Sequence, residues 1–277
     1  MSAVTTAPPE LKSGGQMAGV RARSAMRAVL TIAVALMIYE FVARLEIFTP
    51  SLMPTLPKIG ATLLRTLLDG SMILHAAGTL GRVLAGMTLA AAVGLPVGIL
   101  MGRYKAVENF FVPLVSAFMP IPSLAWVPVF ILWFGLGNTV AILIVLYAAF
   151  FPMVLNVWSG VRAVNPLWLR AADAMGADEK ALFWKVIMPG ASPFIIAGLR
   201  QAFLRAWIAV IGAEFLAASD WGLGWVIFDS KEFLNADVMI ASLAVIGAIG
   251  FVFERLVFGS LEKYTVQRWG MVQAAKV

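Results

Sequence analysis

Arg205 and Glu214 are ionisable residues set within one apolar stretch of the chain, from about residue 194 to 218. A charge at that depth in a membrane is costly, and by default it marks function. An arginine facing a watery path attracts an anion. A carboxylate near the end of the stretch suits a gate or a structural hydrogen bond. Nine positions separate the two, ~13.5 Å along a helix, so they do not pair directly with each other. Glu40, in an earlier apolar run, is a third candidate. Trp126 is a fourth, in the proline-broken stretch PIPSLAWVP, where an indole face would pack on aliphatic groups of a ligand. Each has a plainer reading. Arginine also pairs with a carboxylate or snorkels to the interface. Tryptophan concentrates at interfaces whatever the function, as Trp133, Trp158, Trp207 and Trp221 would.

Residue counts remove other chemistries. The chain has no cysteine, hence no disulfide, thiolate zinc site, iron–sulfur cluster or cysteine nucleophile. Its single histidine, His75, cannot build a multi-histidine metal centre. No serine and carboxylate are placed to form a relay with it, and it reads as an interfacial residue. No Gly-Lys dipeptide occurs, so no P-loop exists to cradle nucleotide phosphates. Any ATP used must be hydrolysed on another subunit. The net charge of +6 comes without a basic cluster interleaved with aromatics, which argues against nucleic acid.

The elements that hold these residues are membrane helices. Of the 277 residues, 61% are hydrophobic and 13% charged, against roughly 45–50% and ~25% in soluble domains. Mean hydropathy is +0.90. A spanning helix needs about 20 mostly apolar residues, and six such runs are expected, near 28–43, 77–101, 107–133, 139–158, 194–218 and 238–258. The third carries Pro113, Pro120, Pro122 and Pro128 and should break near PIPSLAWVP; irregular backbone at that depth is tolerated where it lines a wet cavity. In the second, Gly86, Ala90, Gly94, Gly98 and Gly102 recur every fourth residue, a small-residue stripe that permits close helix packing. Pro96 is expected to kink that helix. Residues 44–73 read as an exposed link and a short amphipathic helix.

Between the fourth and fifth runs lies a polar segment, 159–192. Asn165–Pro166 suits an N-cap followed by proline. Gly176 ends that helix, Asp178 caps a second, and Pro189 is expected to stop it. Residues 1–27, 103–107, 159–192 and 255–277 hold 14 of the 21 Lys and Arg residues, which puts both termini and the polar segment in the cytoplasm. The expected organisation is a mobile cytoplasmic tail (1–27), a transmembrane domain (28–258) and a cytoplasmic tail (259–277).

Residues 170–189, RAADAMGADEKALFWKVIMP, resemble the "EAA" loop of the permease subunits of bacterial ABC importers. Ala171, Ala172, Gly176 and Pro189 match its pattern. Val186 and Met188 are conservative replacements, and Arg170 stands where the family usually has Glu. The stretches at 120–137, 150–161, 198–216 and 222–233 look like those of sulfonate, nitrate and taurine importer permeases, and the resemblance covers about residues 30–270.

The resemblance implies an all-α integral membrane protein of about six spans with a helix–turn–helix coupling loop between spans four and five. It implies a bacterial inner-membrane location, a homodimer, two cytoplasmic ATPase subunits seated on the loops, and a periplasmic substrate-binding protein. No cofactor is expected in this chain, since ATP and Mg are bound by the ATPase partner. The cargo it implies is a small organic anion such as an alkanesulfonate or taurine, moved by alternating access. Nitrate, cyanate, a thiamine-precursor pyrimidine and an aromatic acid are the alternative cargoes. A stand-alone secondary transporter predicts inverted repeats that the sequence does not show, and a membrane enzyme lacks clustered His, Asp or Ser.

Overall fold

The computed structural model describes the backbone of residues 14–217 and 221–262, and side chains from residue 26 onward within them except 28. The described residues form helices joined by short links. In chain order these are α1 (Gly14–Arg44), α2 (Leu56–Leu68), α3 (Ser71–Arg103), α4 (Lys105–Phe118), a 3-10 turn (Ser123–Trp126), α5 (Val127–Phe134) and α6 (Asn138–Arg162). They continue with α7 (Pro166–Ala174), α8 (Glu179–Leu182), α9 (Met188–Ala217), α10 (Leu223–Glu232), α11 (Ala236–Val252) and α12 (Gly259–Glu262). Wide π turns at Phe183–Ile187 and Phe253–Phe258 join α8 to α9 and α11 to α12.

Four of these segments are long and apolar enough to cross a membrane: Ser71–Arg103, Asn138–Arg162, Glu179–Ala217 and Ala236–Glu262. A fifth forms if α4 and the Ser123–Phe134 segment, bent by 84° at their break, count as one. The first expected run, 28–43, is helical within α1. That helix begins at Gly14, inside the segment expected as a tail. Residues 1–13 and 263–277, parts of the two expected tails, lie outside the described residues.

The centre of the structure is the packing of α3, α6 and α9. Val83 and Ala90 of α3, Val145, Ala149, Met153 and Val157 of α6, and Ala202, Phe203, Ala206 and Val210 of α9 are buried together. The small-residue stripe explains how α3 comes so close to α6. A Cβ on Gly86 would stand 2.5 Å from Val145 Cγ1 and 2.8 Å from the Ile142 carbonyl oxygen. On Gly98 it would meet Val157 at 2.8 Å, and on Gly102 Val161 at 2.5 Å. Gly94 has more room, its nearest neighbours being 3.5 Å away. Ala90, with no exposed surface, completes the row. Pro96 sits inside α3 without interrupting it. Outward-facing Leu84, Val93, Leu132 and Phe251 are more than half exposed, as expected of a surface that meets lipid rather than water.

The shorter elements are fixed by local hydrogen bonds. Glu40 of α1 accepts the Leu56 amide at 2.7 Å and so caps α2. Asp69 accepts both the amide (2.9 Å) and hydroxyl (2.6 Å) of Ser71 at the start of α3. Those two bonds hold its carboxyl below the usual aspartate range.

Candidate functional site

The site is built where α4 fails. Pro120 and Pro122 lack amide hydrogens, so the helix stops at Phe118 and the chain turns through a short 3-10 segment before resuming as α5. Helix ends leave carbonyls without partners. The Tyr147 hydroxyl of α6 donates to the Phe118 carbonyl at 2.6 Å and satisfies one of them. This irregular stretch, together with Tyr147, Pro152, Gln201, Arg205 and Ile208, encloses a cavity of about 540 Å³. The break expected from the sequence therefore occurs, and it borders open space.

Arg205 is exposed on the wall of this cavity. It makes no ion pair or hydrogen bond among the described residues. Trp126 stands behind the wall. Its ring lies 5.7 Å from Tyr147, 5.9 Å from Phe130 and 6.4 Å from Phe118. Glu214 is elsewhere, with no exposed surface. Its carboxylate meets Arg82 of α3 at 2.5 Å and accepts bonds from the Thr79 hydroxyl and the Gly224 amide, both at 2.9 Å. Glu40 is occupied by Arg44 at 2.7 Å and by the cap on α2. His75 Nδ1 accepts the Gly222 amide at 3.1 Å. Of the ionisable candidates, the structure brings Arg205 alone to the cavity.

Two residues escaped sequence reasoning, one in the site and one at Glu214. Gln201 lies one helical turn before Arg205 on α9, and its side-chain oxygen accepts from Asn156 Nδ2 of α6 at 2.8 Å. The i, i+4 spacing to Arg205 was the available signal, but uncharged amides are common in spans. Arg82 was the other, visible as a lone charge in the second apolar run.

At the opposite end of α6 the polar segment folds as two helices about a tight turn. Asn165 accepts the Leu167 amide at 2.9 Å and caps α7, with Pro166 in its first turn. The end of α7 is a Schellman arrangement. The Ala177 amide donates to the Ala172 carbonyl at 3.0 Å and the Gly176 amide to that of Asp173 at 2.9 Å. Gly176 has φ of +76°, a conformation natural to glycine. Asp178 accepts the Ala181 amide at 2.7 Å and caps α8. Arg170 and Ala171 are exposed on α7, while Ala172 is buried.

Pro189 does not stop the second helix. The chain runs helically from Glu179 to Ala217, 39 residues, or ~58 Å at 1.5 Å per residue. The π turn explains this. The Met188 amide bonds back to the Phe183 carbonyl, five residues earlier, and the widened turn accommodates a proline that would clash with a regular α-helix. The turn after Gly176 thus leads straight into the helix that carries Gln201, Arg205 and Glu214.

Residues 94–268 match the protein family described as binding-protein-dependent transport system inner membrane component. The chain is 38% identical over 240 residues to a putative ABC transporter permease protein of Methanocaldococcus jannaschii, covering 85% of this chain and 90% of that protein. It is 34% identical over 237 residues to the taurine transport system permease protein TauC of Escherichia coli, covering 84% and 86%. Against the putative aliphatic sulfonates transport permease protein SsuC of Bacillus subtilis the identity is 31% over 242 residues, covering 86% and 87%. Among solved structures, a chain of the MetNI methionine ABC transporter in an inward-facing conformation has the same fold, with a TM-score of 0.55, 20% identity, and coverage of 69% of this chain and 96% of that one. A chain with this helical core and these relatives belongs to the family of binding-protein-dependent transport system inner membrane components, as an ABC transporter permease of the sulfonate, nitrate and taurine type.

Proposed function

We propose that two copies of this chain form the translocation pathway of an importer for a small organic anion, with taurine or an alkanesulfonate as cargo. The observation that carries this reading is Arg205. Among the described residues it is a cation without a counter-ion, on the wall of a cavity formed where backbone is non-helical. A cation so placed stabilises an anion in transit while the flanking apolar wall, including Ile208 and the proline segment, meets its carbon skeleton. The names of the taurine and sulfonate relatives agree in cargo class.

In this reading each copy has about six spans, with both termini and α7 in the cytoplasm, and the pathway between the copies alternates between outward and inward access. Two ATPase subunits dock on the paired α7 segments and bind the ATP and Mg, while a periplasmic binding protein delivers cargo. α7 presents Leu167, Trp168, Arg170, Ala171 and Met175 to its partner, all exposed. Arg170 replaces the acidic residue usual at that point. Gly176 and Pro189 link α7 to α9. A push on α7 therefore passes the Gly176 turn and then reaches Arg205 through one continuous helix.

The test is uptake of labelled taurine and ethanesulfonate by the complete transporter, reconstituted with its ATPase and binding protein. Arg205→Gln is expected to slow uptake roughly tenfold with assembly intact. Wild-type uptake in that variant, or import of neither sulfonate alongside import of nitrate, would overturn the cargo reading.

A further inference from the structure

Gln201 borders two cavities. One is the cavity of Arg205 already described. The other, of about 420 Å³, lies nearer the α8 end of α9 and is walled by Pro193, Ile196, Arg200, Gln201, Phe258 and Glu262, among others. The two arginines differ in their surroundings. Arg205 has no counter-ion among the described residues. Arg200 is bonded through Nε (2.7 Å) and Nη2 to Glu254 Oε1, and Glu262 stands 3.8 Å from its Nη1. One guanidinium thus faces two carboxylates, and this second cavity carries no net positive charge.

Gln201 is also oriented. Asn156 Nδ2 donates to the Pro152 carbonyl at 2.7 Å and to Gln201 Oε1 at 2.8 Å. Asn156 therefore presents its amino group, and Gln201 must present its oxygen to Asn156. The Gln201 Nε2 group, with two N–H donors, has no partner among the described residues.

We propose that Gln201 is an anion-contacting residue of the pathway, the point where an anion held by Arg205 passes to an exit station whose arginine is already neutralised. This rests on the anion reading of the Arg205 cavity. Gln201 Nε2 donates to the anion as it leaves Arg205, about 6 Å further along the helix at 1.5 Å per residue. The Arg200–Glu254–Glu262 cluster then offers it no net attraction, so it is released rather than trapped. Beyond Arg205, positive and unpaired among the described residues, the cluster of Arg200, Glu254 and Glu262 is net negative, so the anion meets no second trap toward the α8 end.

The experiment uses the complete reconstituted transporter, with uptake of taurine, ethanesulfonate or nitrate, whichever the wild type imports fastest, and ATPase activity measured in parallel. Gln201→Glu keeps the oxygen that Asn156 binds but replaces the amide donor with a negative charge. Uptake is expected to fall roughly tenfold or more, with ATPase stimulation by the binding protein retained. Glu262→Lys alters a half-exposed side chain, so folding is not at issue. It makes the Arg200 cluster net positive, and uptake at saturating binding protein is expected to slow about threefold as the anion lingers. Wild-type uptake in either variant overturns the proposal. If Arg205→Gln slows uptake and Gln201→Glu does not, the inference on Gln201 fails and the anion cavity stands. If neither slows it, or no anion is imported, the underlying reading fails as well.

Discussion

Arg82 of α3 and Glu214 of α9 meet at 2.5 Å with side chains 6% and 0% exposed. Arg82 also donates to Asn138 Oδ1 at 2.7 Å and to the Trp221 carbonyl at 2.5 Å, so the pair joins α3 and α9 to the starts of α6 and α10. Breaking such a pair on one side leaves a buried charge without compensation, at a cost of about 3–5 kcal/mol. Removing both charges avoids that penalty. Glu214→Ala and Arg82→Ala should therefore each lower the thermal unfolding temperature of the purified protein more than the double variant does. A double variant no more stable than the worse single one would mean that the surrounding bonds, not the charges, hold this end together.

The α3–α6 contact makes a graded prediction from glycines alike in sequence. Alanine at Gly86 or Gly98 places a methyl within 3 Å of valine side chains and of the α6 backbone oxygens at Ile142 and Val154. Backbone cannot swing aside as a flexible side chain does, and overpacking of this kind costs about 1–3 kcal/mol. At Gly94 the same methyl finds Met153, Phe150 and Val154 at 3.5 Å, ordinary contact distance. Thermal unfolding should rank Gly94→Ala near wild type and both other variants well below. Equal losses at all three would remove the close-approach account.

This contrast also shows what the sequence carried. Spacing alone revealed the stripe, since small residues at i+4 lie on one helix face, but it did not reveal that Gly94 has room and Gly98 has none. The proline cluster at 120–128 foretold the broken helix because proline removes amide donors wherever it stands. Asn165, Gly176 and Asp178 foretold the turn because each acts within four residues of itself. Pro189 misled, since its effect depended on a π turn formed by residues with no local signature. The partners of Glu214 were equally hidden. Thr79 and Arg82 are more than a hundred positions away, and the charge of Glu214 announced a cost without naming what met it.

Gly176 separates conformational strain from bulk. No atom lies within 4 Å of where its Cβ would stand, so a side chain meets nothing within the chain. The penalty comes from φ of +76°, where an ordinary residue loses about 1–2 kcal/mol and a β-branched one more. Asparagine tolerates this region best among the residues with side chains. In the reconstituted transporter, Gly176→Asn should keep transport coupled to ATP hydrolysis, while Gly176→Val and Gly176→Leu should hydrolyse ATP with reduced uptake. Loss of coupling in the asparagine variant as well would point to a surface that the partner needs bare, and normal transport in Gly176→Leu would remove Gly176 from the coupling path.

Arg103, at the end of α3, reaches the helix that follows the Gly176 turn. Its Nη2 lies 3.3 Å from Glu179 of α8, and its guanidinium lies over the rings of Tyr104 (5.6 Å) and Phe183 (5.8 Å). Glu179 is 84% exposed, and an ion pair so solvated contributes under about 1 kcal/mol. The stacked contacts are less screened, and a planar guanidinium makes them better than an ammonium does. The arginine therefore adds little to stability but ties α8 to α3 just after the Gly176 turn. Arg103→Lys keeps the charge and loses the stacking; Glu179→Gln keeps the stacking and loses the pair. Transport per ATP hydrolysed should fall in Arg103→Lys and stay near wild type in Glu179→Gln, with unfolding temperatures unchanged in both. The reverse order would assign the link to the ion pair, and no change in either would leave the π turn at Phe183–Ile187 as the connection between α7 and the cavity.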